Sequence, residues 1–422
     1  MRIPRIAIVS FPGNNGEVES MRVIRRVGME PVFFRWNDDR SQLKDVDGYF
    51  IPGGFSYEDR GRSGMVAARD PLMDFIRSEA ESGKVVIGIC NGAQVLVESG
   101  LIPNGEGLQM CLARNAITTE QGIAGLPLLS EWIWITRSCA KDRCATSGWD
   151  GVMQIPIAHG EGRFTTRDAD LLKQLEKNKQ IAFSYCDASG HISDDPAITP
   201  NGSVNAIAGI CNSEGNVIAL MPHPERAMGR GDAYFASMKS WILNKSQRSP
   251  EKQKRQGGFE KIVLLPARGP KSVEIFIEAL ITNNEERTVE RAAKRIAPSL
   301  RLKQWKYFCV PENAVAQVLS DLTVFNRNKE RAFIRRGKKF MKWNADAKTS
   351  DTVSADTVEF FSSATVLLRR DIPDTGAGSF GKGSETGIAY VIKKIDDQKL
   401  CSDELLEVFA NPHASTLERL TV

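Results

Sequence analysis

The 422-residue sequence contains no apolar run long enough to cross a bilayer, so no membrane-spanning helix is expected. The opening "MRIPRIAIVSFPGNNG" lacks a small-residue cleavage site. Its short apolar run leads straight into a Gly/Asn turn, which reads as a first strand and not as a signal peptide. The expected location is therefore cytoplasmic. The eight cysteines (90, 111, 139, 144, 186, 211, 309, 401) are scattered singly and are expected to be reduced thiols. Only Cys139 and Cys144, in "CAKDRC", lie close together. No second ligand pair accompanies them, so no metal site is expected. There is no internal repeat and no long low-complexity tract. Histidine is scarce: positions 159, 191, 223 and 413 are all there are, and any imidazole chemistry must use one of them.

What is present is ordinary for a soluble globular chain, 41% apolar and 26% charged, with length for two or three domains. The net charge of +4 is unevenly spread. Residues 1–245 hold 26 Lys/Arg against 29 Asp/Glu, and residues 246–422 hold 30 against 23. The two parts thus carry surfaces of opposite sign and different prospects for partners. Between them "NKSQRSPEKQKRQGG" (244–258) is polar, basic and free of large apolar residues, the composition of a linker. The expected organisation is a first domain over 1–245, a basic linker over 246–258 and a second domain over 259–422.

In the first part, short apolar strands alternate with amphipathic helices. Strands are expected at 5–11, near "EPVFFRW", at "DGYFIPGG" and at 84–89, with helices over 16–28, near 64–82 and over 91–99. This alternation predicts an α/β fold, a doubly wound and mostly parallel sheet covered on both faces. From about 108 to 222 the strands shorten and a mixed or antiparallel portion is expected, before "NVIALMP" returns to the core and 232–243 closes the domain as a helix. In such sheets reactive side chains gather beyond the carboxyl ends of strands. Gly53-Gly54, Cys90 and His223 all fall there.

"GICNG" (88–92) has the small-x-nucleophile-x-small spacing of a nucleophile elbow. Such a turn exposes the side chain at a helix N-terminus, where amide dipoles favour thiolate. A buried structural cysteine after a strand is the plainer alternative. A thiolate needs a proton carrier and something to orient it. His223, in "LMPHPERA", follows a core strand between two prolines, with Glu225 two residues on. In an extended segment those two side chains share a face, so Glu225 can hold one imidazole nitrogen while the other faces Cys90. In "FIPGGFSYEDRG" (50–61) the paired glycines let backbone N–H groups approach a developing oxyanion, although an ordinary tight turn fits equally well.

Together, "FPGNNGE", "PGGFSYEDRGRSG", "GICNGAQVL", "IPIAHGEGRF", "PNGSVNAIAGICN" and "GNVIALMPHPER" resemble, in order and over roughly residues 3–243, the triad-type (class I) glutamine amidotransferases. The nearest likeness is to the glutaminase subunits of phosphoribosylformylglycinamidine synthases. The resemblance implies Cys90 as nucleophile, His223 as general base and acid, and Glu225 as orienting carboxylate. It also implies that Gly53, Gly54 and Asn91 lie at the oxyanion and that Gln94 helps hold glutamine. His159 matches a family signature, but its role does not follow from sequence. The implied reaction hydrolyses glutamine to glutamate and ammonia through a cysteine thioester. The ammonia would pass to a synthase subunit that converts formylglycinamide ribonucleotide to the amidine in purine biosynthesis. ATP and magnesium would belong to that partner, and no cofactor is expected in this chain. A small bridging subunit is a further expected partner. The stretch "LARNAITTEQGIAGLPLLSEWIWITRSCAKDRCATSGWDG" departs from the family pattern, which puts contacts at the substrate edge in doubt. The alternatives are a glutaminase for a different ammonia-accepting synthase, or a polyanion-binding protein with a vestigial triad.

Residues 259–422 match no nameable family and read as α+β. "EKIVLLPARGPKSVEIFIEALI" suggests strand, turn and helix, "ERTVERAAKRIA" a helix and "LRLKQWKYFCV" a strand. "RGPKS" lacks the spacing of a phosphate cradle, and "GAGSFG" (376–381) neither follows a strand nor opens a helix, so it reads as a loop. Residues 327–343 carry eight Lys/Arg with Phe333, Phe340 and Trp343 interleaved. That composition suits RNA or another polyanion, but a solvated helix face burying its aromatics is favoured, since charge runs usually only coat a surface.

Overall fold

The computed structural model describes residues 2–105, 107–119, 122–244, 261–269, 273–352 and 364–421. The expected linker and residues 270–272 of "RGPKS" lie outside the described residues. The chain divides into two compact units, Met1–Glu260 and Lys261–Val422.

The first unit is built on β1 (Arg5–Ser10), β2 (Glu30–Arg35), β3 (Gly48–Ile51), β4 (Val85–Ile89), β5 (Leu129–Arg137), β6 (Val152–His159), β7 (Ile181–Cys186), β8 (Ile207–Cys211) and β9 (Val217–Leu220). Among the described residues these form one sheet in the order β2-β1-β3-β4-β9-β8-β7-β5-β6. The pairings from β2 through β4 to β9 are parallel, and those from β9 to β6 are antiparallel. The mixed portion therefore continues the main sheet. All five residues of β4 are buried, as a strand covered on both faces requires. Each buried Val or Ile there contributes roughly 1.5–3 kcal/mol.

One helix was expected near 64–82, and the structure corrects it to two, Met65–Ala68 and Pro71–Glu81. Asp70 forces the break. Its carboxylate accepts from the Leu72 N–H at 3.0 Å, and Pro71 takes the first helical position, where its missing N–H costs nothing.

The second unit holds β10 (Leu264–Arg268), β11 (Val273–Ala279), β12 (Arg301–Val310), β13 (Glu330–Arg336), β14 (Lys339–Asn344), β15 (Thr349–Thr352), β16 (Thr365–Asp371), β17 (Glu385–Lys393) and β18 (Ser415–Leu420). Their order is β10-β18-β16-β17-β12-β11-β13-β14-β15. Among the described residues of this unit only β10 and β18 pair in parallel. The helix expected after residue 272 is instead β11. Its Val273, Ile275 and Ile277 pack with Val315 and Val318, while Phe276 turns the other way onto Tyr307 and Trp305. A strand covered on both faces reads as a continuous apolar run, which sequence alone does not separate from a buried helix.

The basic stretch is corrected likewise, from a helix face to the β13–β14 hairpin, turned at Gly337 with φ +59°. Its arginines are largely neutralised. Arg327 pairs with Asp346, Arg331 with Glu278, Arg335 with Glu274 and Arg336 with Glu312. "GAGSFG" is a short 3-10 turn over Ala377–Phe380 that leads to a strand.

Candidate active site

Strand β4 ends at Ile89, a helix begins at Asn91, and Cys90 between them is held at φ +52°, ψ −108°. A non-glycine residue rarely enters that region, and persists there only when its surroundings fix it. Cys90 N–H donates to Leu220 O at 2.8 Å, and its own carbonyl accepts from Gln94 N–H at 3.1 Å. The flanking glycines are obligatory. A Cβ on Gly88 would stand 2.4 Å from Gly92 O, and one on Gly92 only 1.9 Å from Ile51 O. The elbow read from "GICNG" is therefore the backbone the chain adopts.

His223 follows β9, and its N–H donates to Pro156 O of β6 at 2.8 Å. Its Nδ1 lies 2.6 Å from Glu225 Oε1, with both side chains buried. The sequence reading reached this pair through an extended segment, which the structure corrects. Pro224–Arg226 forms a 3-10 turn, and that turn folds Glu225 back onto the ring. Gly53 locates the imidazole relative to the thiol. A Cβ on Gly53 would meet His223 Cε1 at 2.8 Å and Cys90 Cβ at 3.5 Å, so both lie against one point of the backbone. Burial opposes a charge on His223, but the charges of Glu225 and Cys90 and the hydrogen bond to Glu225 raise its pKa above the usual 6.5. The ring is thus favoured as an imidazolium facing a sulfur.

The Gly53-Gly54 turn is clamped from the loop that follows the first strand. Asn15 and Gly16 N–H groups both donate to Gly53 O at 3.1 Å, and Asn14 Nδ2 donates to Pro52 O at 3.2 Å. Gly54 has φ +141°, with Asn14 Cα 2.6 Å from where its Cβ would be. "FPGNNG" thereby acts as a brace.

Asn91 is the hub behind Cys90. Its Oδ1 accepts from Ser56 N–H at 2.9 Å, and its Nδ2 donates to Asp59 Oδ1 at 3.0 Å and Gln94 Oε1 at 2.8 Å. The Gln94 amide donates in turn to Glu161 O at 2.5 Å, so both ends of its side chain are engaged within the site wall. These bonds hold a loop in which Tyr57, Glu58 and Asp59 all take left-handed φ of 52°, 57° and 51°. Burial, then the nearby charge of Glu161, pushes the Asp59 carboxyl up to about 7. Beyond it Arg62 grips buried Glu98 through two bonds, at 2.8 and 2.6 Å.

Asp59, Glu161 and Asn14 escaped the sequence reading. "SYED" was visible, but only the preceding glycines carried a recognisable signal. Cys139 and Cys144 are buried in the core, and among the described residues no cluster of three or more His, Cys, Asp or Glu is arranged to hold a metal ion. No described helix is long and apolar enough to cross a membrane.

Residues 3–254 match the family described as CobB/CobQ-like glutamine amidotransferase domain. A phosphoribosylformylglycinamidine synthase subunit PurQ from Methanothrix thermoacetophila is 41% identical over 256 residues, 56% of this chain and 98% of that relative. The protein of the same name from Thermomicrobium roseum is 40% identical over 227 residues, 54% of this chain and 89% of the relative. Among solved structures, a chain of "Structure of PurLQS from Thermotoga maritima" is 30% identical, with a TM-score of 0.45, covering 57% of this chain and 100% of that one. An elbow thiol, an imidazole and a carboxylate on this sheet thus occur in a sequence that aligns along nearly the whole of its relatives, and the chain belongs to the CobB/CobQ-like glutamine amidotransferases, in the PurQ family.

Proposed function

We propose that this chain hydrolyses glutamine to glutamate and ammonia, as the glutaminase of a phosphoribosylformylglycinamidine synthase acting in purine biosynthesis. The observation that carries the reading is the meeting of Cys90 and His223 against Gly53, with Glu225 bonded to the far side of the imidazole.

The Cys90 thiolate attacks the side-chain amide carbon, and the oxyanion that forms is met by N–H groups of the Gly53-Gly54 turn and of Asn91. His223 gives its proton to the amide nitrogen, the C–N bond breaks, and ammonia leaves a γ-glutamyl thioester on Cys90. Water then adds to the thioester, His223 takes its proton, and the C–S bond breaks to release glutamate. Glu225 keeps the ring in register and supports its charge. Asn91 and Gln94 fix the walls on either side of the nucleophile.

The relatives are named as subunits of a synthase, which supports a synthase partner for this chain. ATP and magnesium are assigned to that partner, a small bridging subunit is a further partner of the assembly, and the location is the cytoplasm. Glutamate release should be measured with the full-length chain and its synthase, with hydroxylamine present to trap the thioester as γ-glutamyl hydroxamate. Wild type is expected to yield both products, and Cys90→Ser neither. Undiminished turnover by Cys90→Ser would overturn the proposal.

A further inference from the structure

The chemistry above leaves the buried imidazole of His159 without a task. His159 closes β6 at 3% exposure, within electrostatic reach of His223. The preceding residue belongs to the site, since Ala158 O lies 3.7 Å from Cys90 Sγ. The hydrogen on the His159 ring can be placed. Asn115 Nδ2 donates to His159 O at 2.7 Å, and Asn115 Oδ1 accepts from Gly162 N–H at 3.2 Å, which fixes the orientation of that amide. The same oxygen lies 3.1 Å from His159 Nδ1, so Nδ1 carries the hydrogen and Nε2 presents a lone pair. Among the described residues Nε2 is buried with no hydrogen-bond partner. Burial, reinforced by the charge on His223, lowers the His159 pKa to about 3, so the ring stays neutral.

A fixed acceptor without a donor, buried beside a reaction centre, costs about 1–3 kcal/mol unless a ligand supplies the donor. Glutamine brings one in its scissile carboxamide nitrogen, which carries two hydrogens and gains a third as it leaves. The product glutamate puts a carboxylate oxygen there instead, with no hydrogen to give. Resting on the glutaminase reading, we infer that His159 Nε2 accepts a hydrogen from the departing amide nitrogen and so separates amide substrate from carboxylate product. A lone pair facing a carboxylate repels it, so the arrangement also clears glutamate from the site.

The test uses the full-length chain with its synthase and compares the KM for glutamine with the inhibition constant for glutamate. In His159→Phe the ratio of inhibition constant to KM is expected to fall about tenfold, the scale of one buried hydrogen bond. His159→Gln, whose side-chain oxygen can accept, is expected to recover part of it. A folded His159→Phe variant with an unchanged ratio overturns the inference, because a merely structural role would alter both constants together. Should that variant not fold, Asn115→Leu frees the ring to place its hydrogen on Nε2, and an unchanged ratio there is equally fatal. Absence of glutamate formation by wild type would instead overturn the glutaminase reading.

Discussion

At the scale of single residues, the backbone of Cys90 makes a stability prediction that opposes its proposed chemical role. Its φ of +52° strains any side chain beyond glycine. Cys90→Gly is expected to be inactive yet more stable than Cys90→Ala by about 1 kcal/mol, measured by chemical denaturation. His159 predicts a pH effect. Its folded pKa of about 3 lies below the unfolded 6.5, so between those values the unfolded chain binds one proton more. Stability is therefore lost as pH falls through that window, by about 1.4 kcal/mol per pH unit from this residue. His223, raised in the fold, titrates above it and contributes nothing there. Denaturant titrations at pH 7, 6 and 5 should show a shallower acid loss for His159→Phe than for wild type. The grouping of Cys90, His223 and Glu225 was legible because their residue types and spacing are chemically restrictive. Asp59 and Asn115 were not, since an Asp or Asn in a loop usually serves a turn and only the fold shows what it meets.

At the scale of elements, the left-handed run at Tyr57–Asp59 depends on Asn91 from another segment. Replacing Asn91 by Ala removes an acceptor for Ser56 and a donor to Asp59 and Gln94. The loop is expected to become cleavable by added protease, with glutamine turnover reduced at least tenfold for about 1–3 kcal/mol of lost bonding. Retained protease resistance together with full turnover would count against the hub. Sequence periodicity identified the strands and helices around β4 because their apolar runs are bounded by turn residues. It failed at β11 and at the β13–β14 hairpin. Strands β11 and β13 are covered on two faces, and Arg335 is buried against Glu274, so a core position carries the letter of a surface one.

For the whole molecule, the two units invite separate tests. A chain ended after Lys245 keeps the core and the whole proposed site of the first unit, and is expected to hydrolyse glutamine with the synthase at a rate near that of the full chain. In the second unit Arg335 sits between the Phe276 and Phe340 rings, 5.7 Å from each, and bonds Glu274, which also accepts from Tyr307 at 2.7 Å. Glu274→Leu strands that cation and is expected to cost about 3–5 kcal/mol, most of it restored by adding Arg335→Met, as read by denaturant unfolding. The family match spans residues 3–254, within the first unit, and the second unit was legible solely as strands and helices. One feature of the first unit reaches beyond catalysis. Strand β6 ends the sheet, and outermost strands invite foreign chains to pair with them. Here Pro156 and Ala158 turn their carbonyls to the histidine loop and the thiol, so two acceptors of that margin are taken up within the chain instead of standing open to a neighbour.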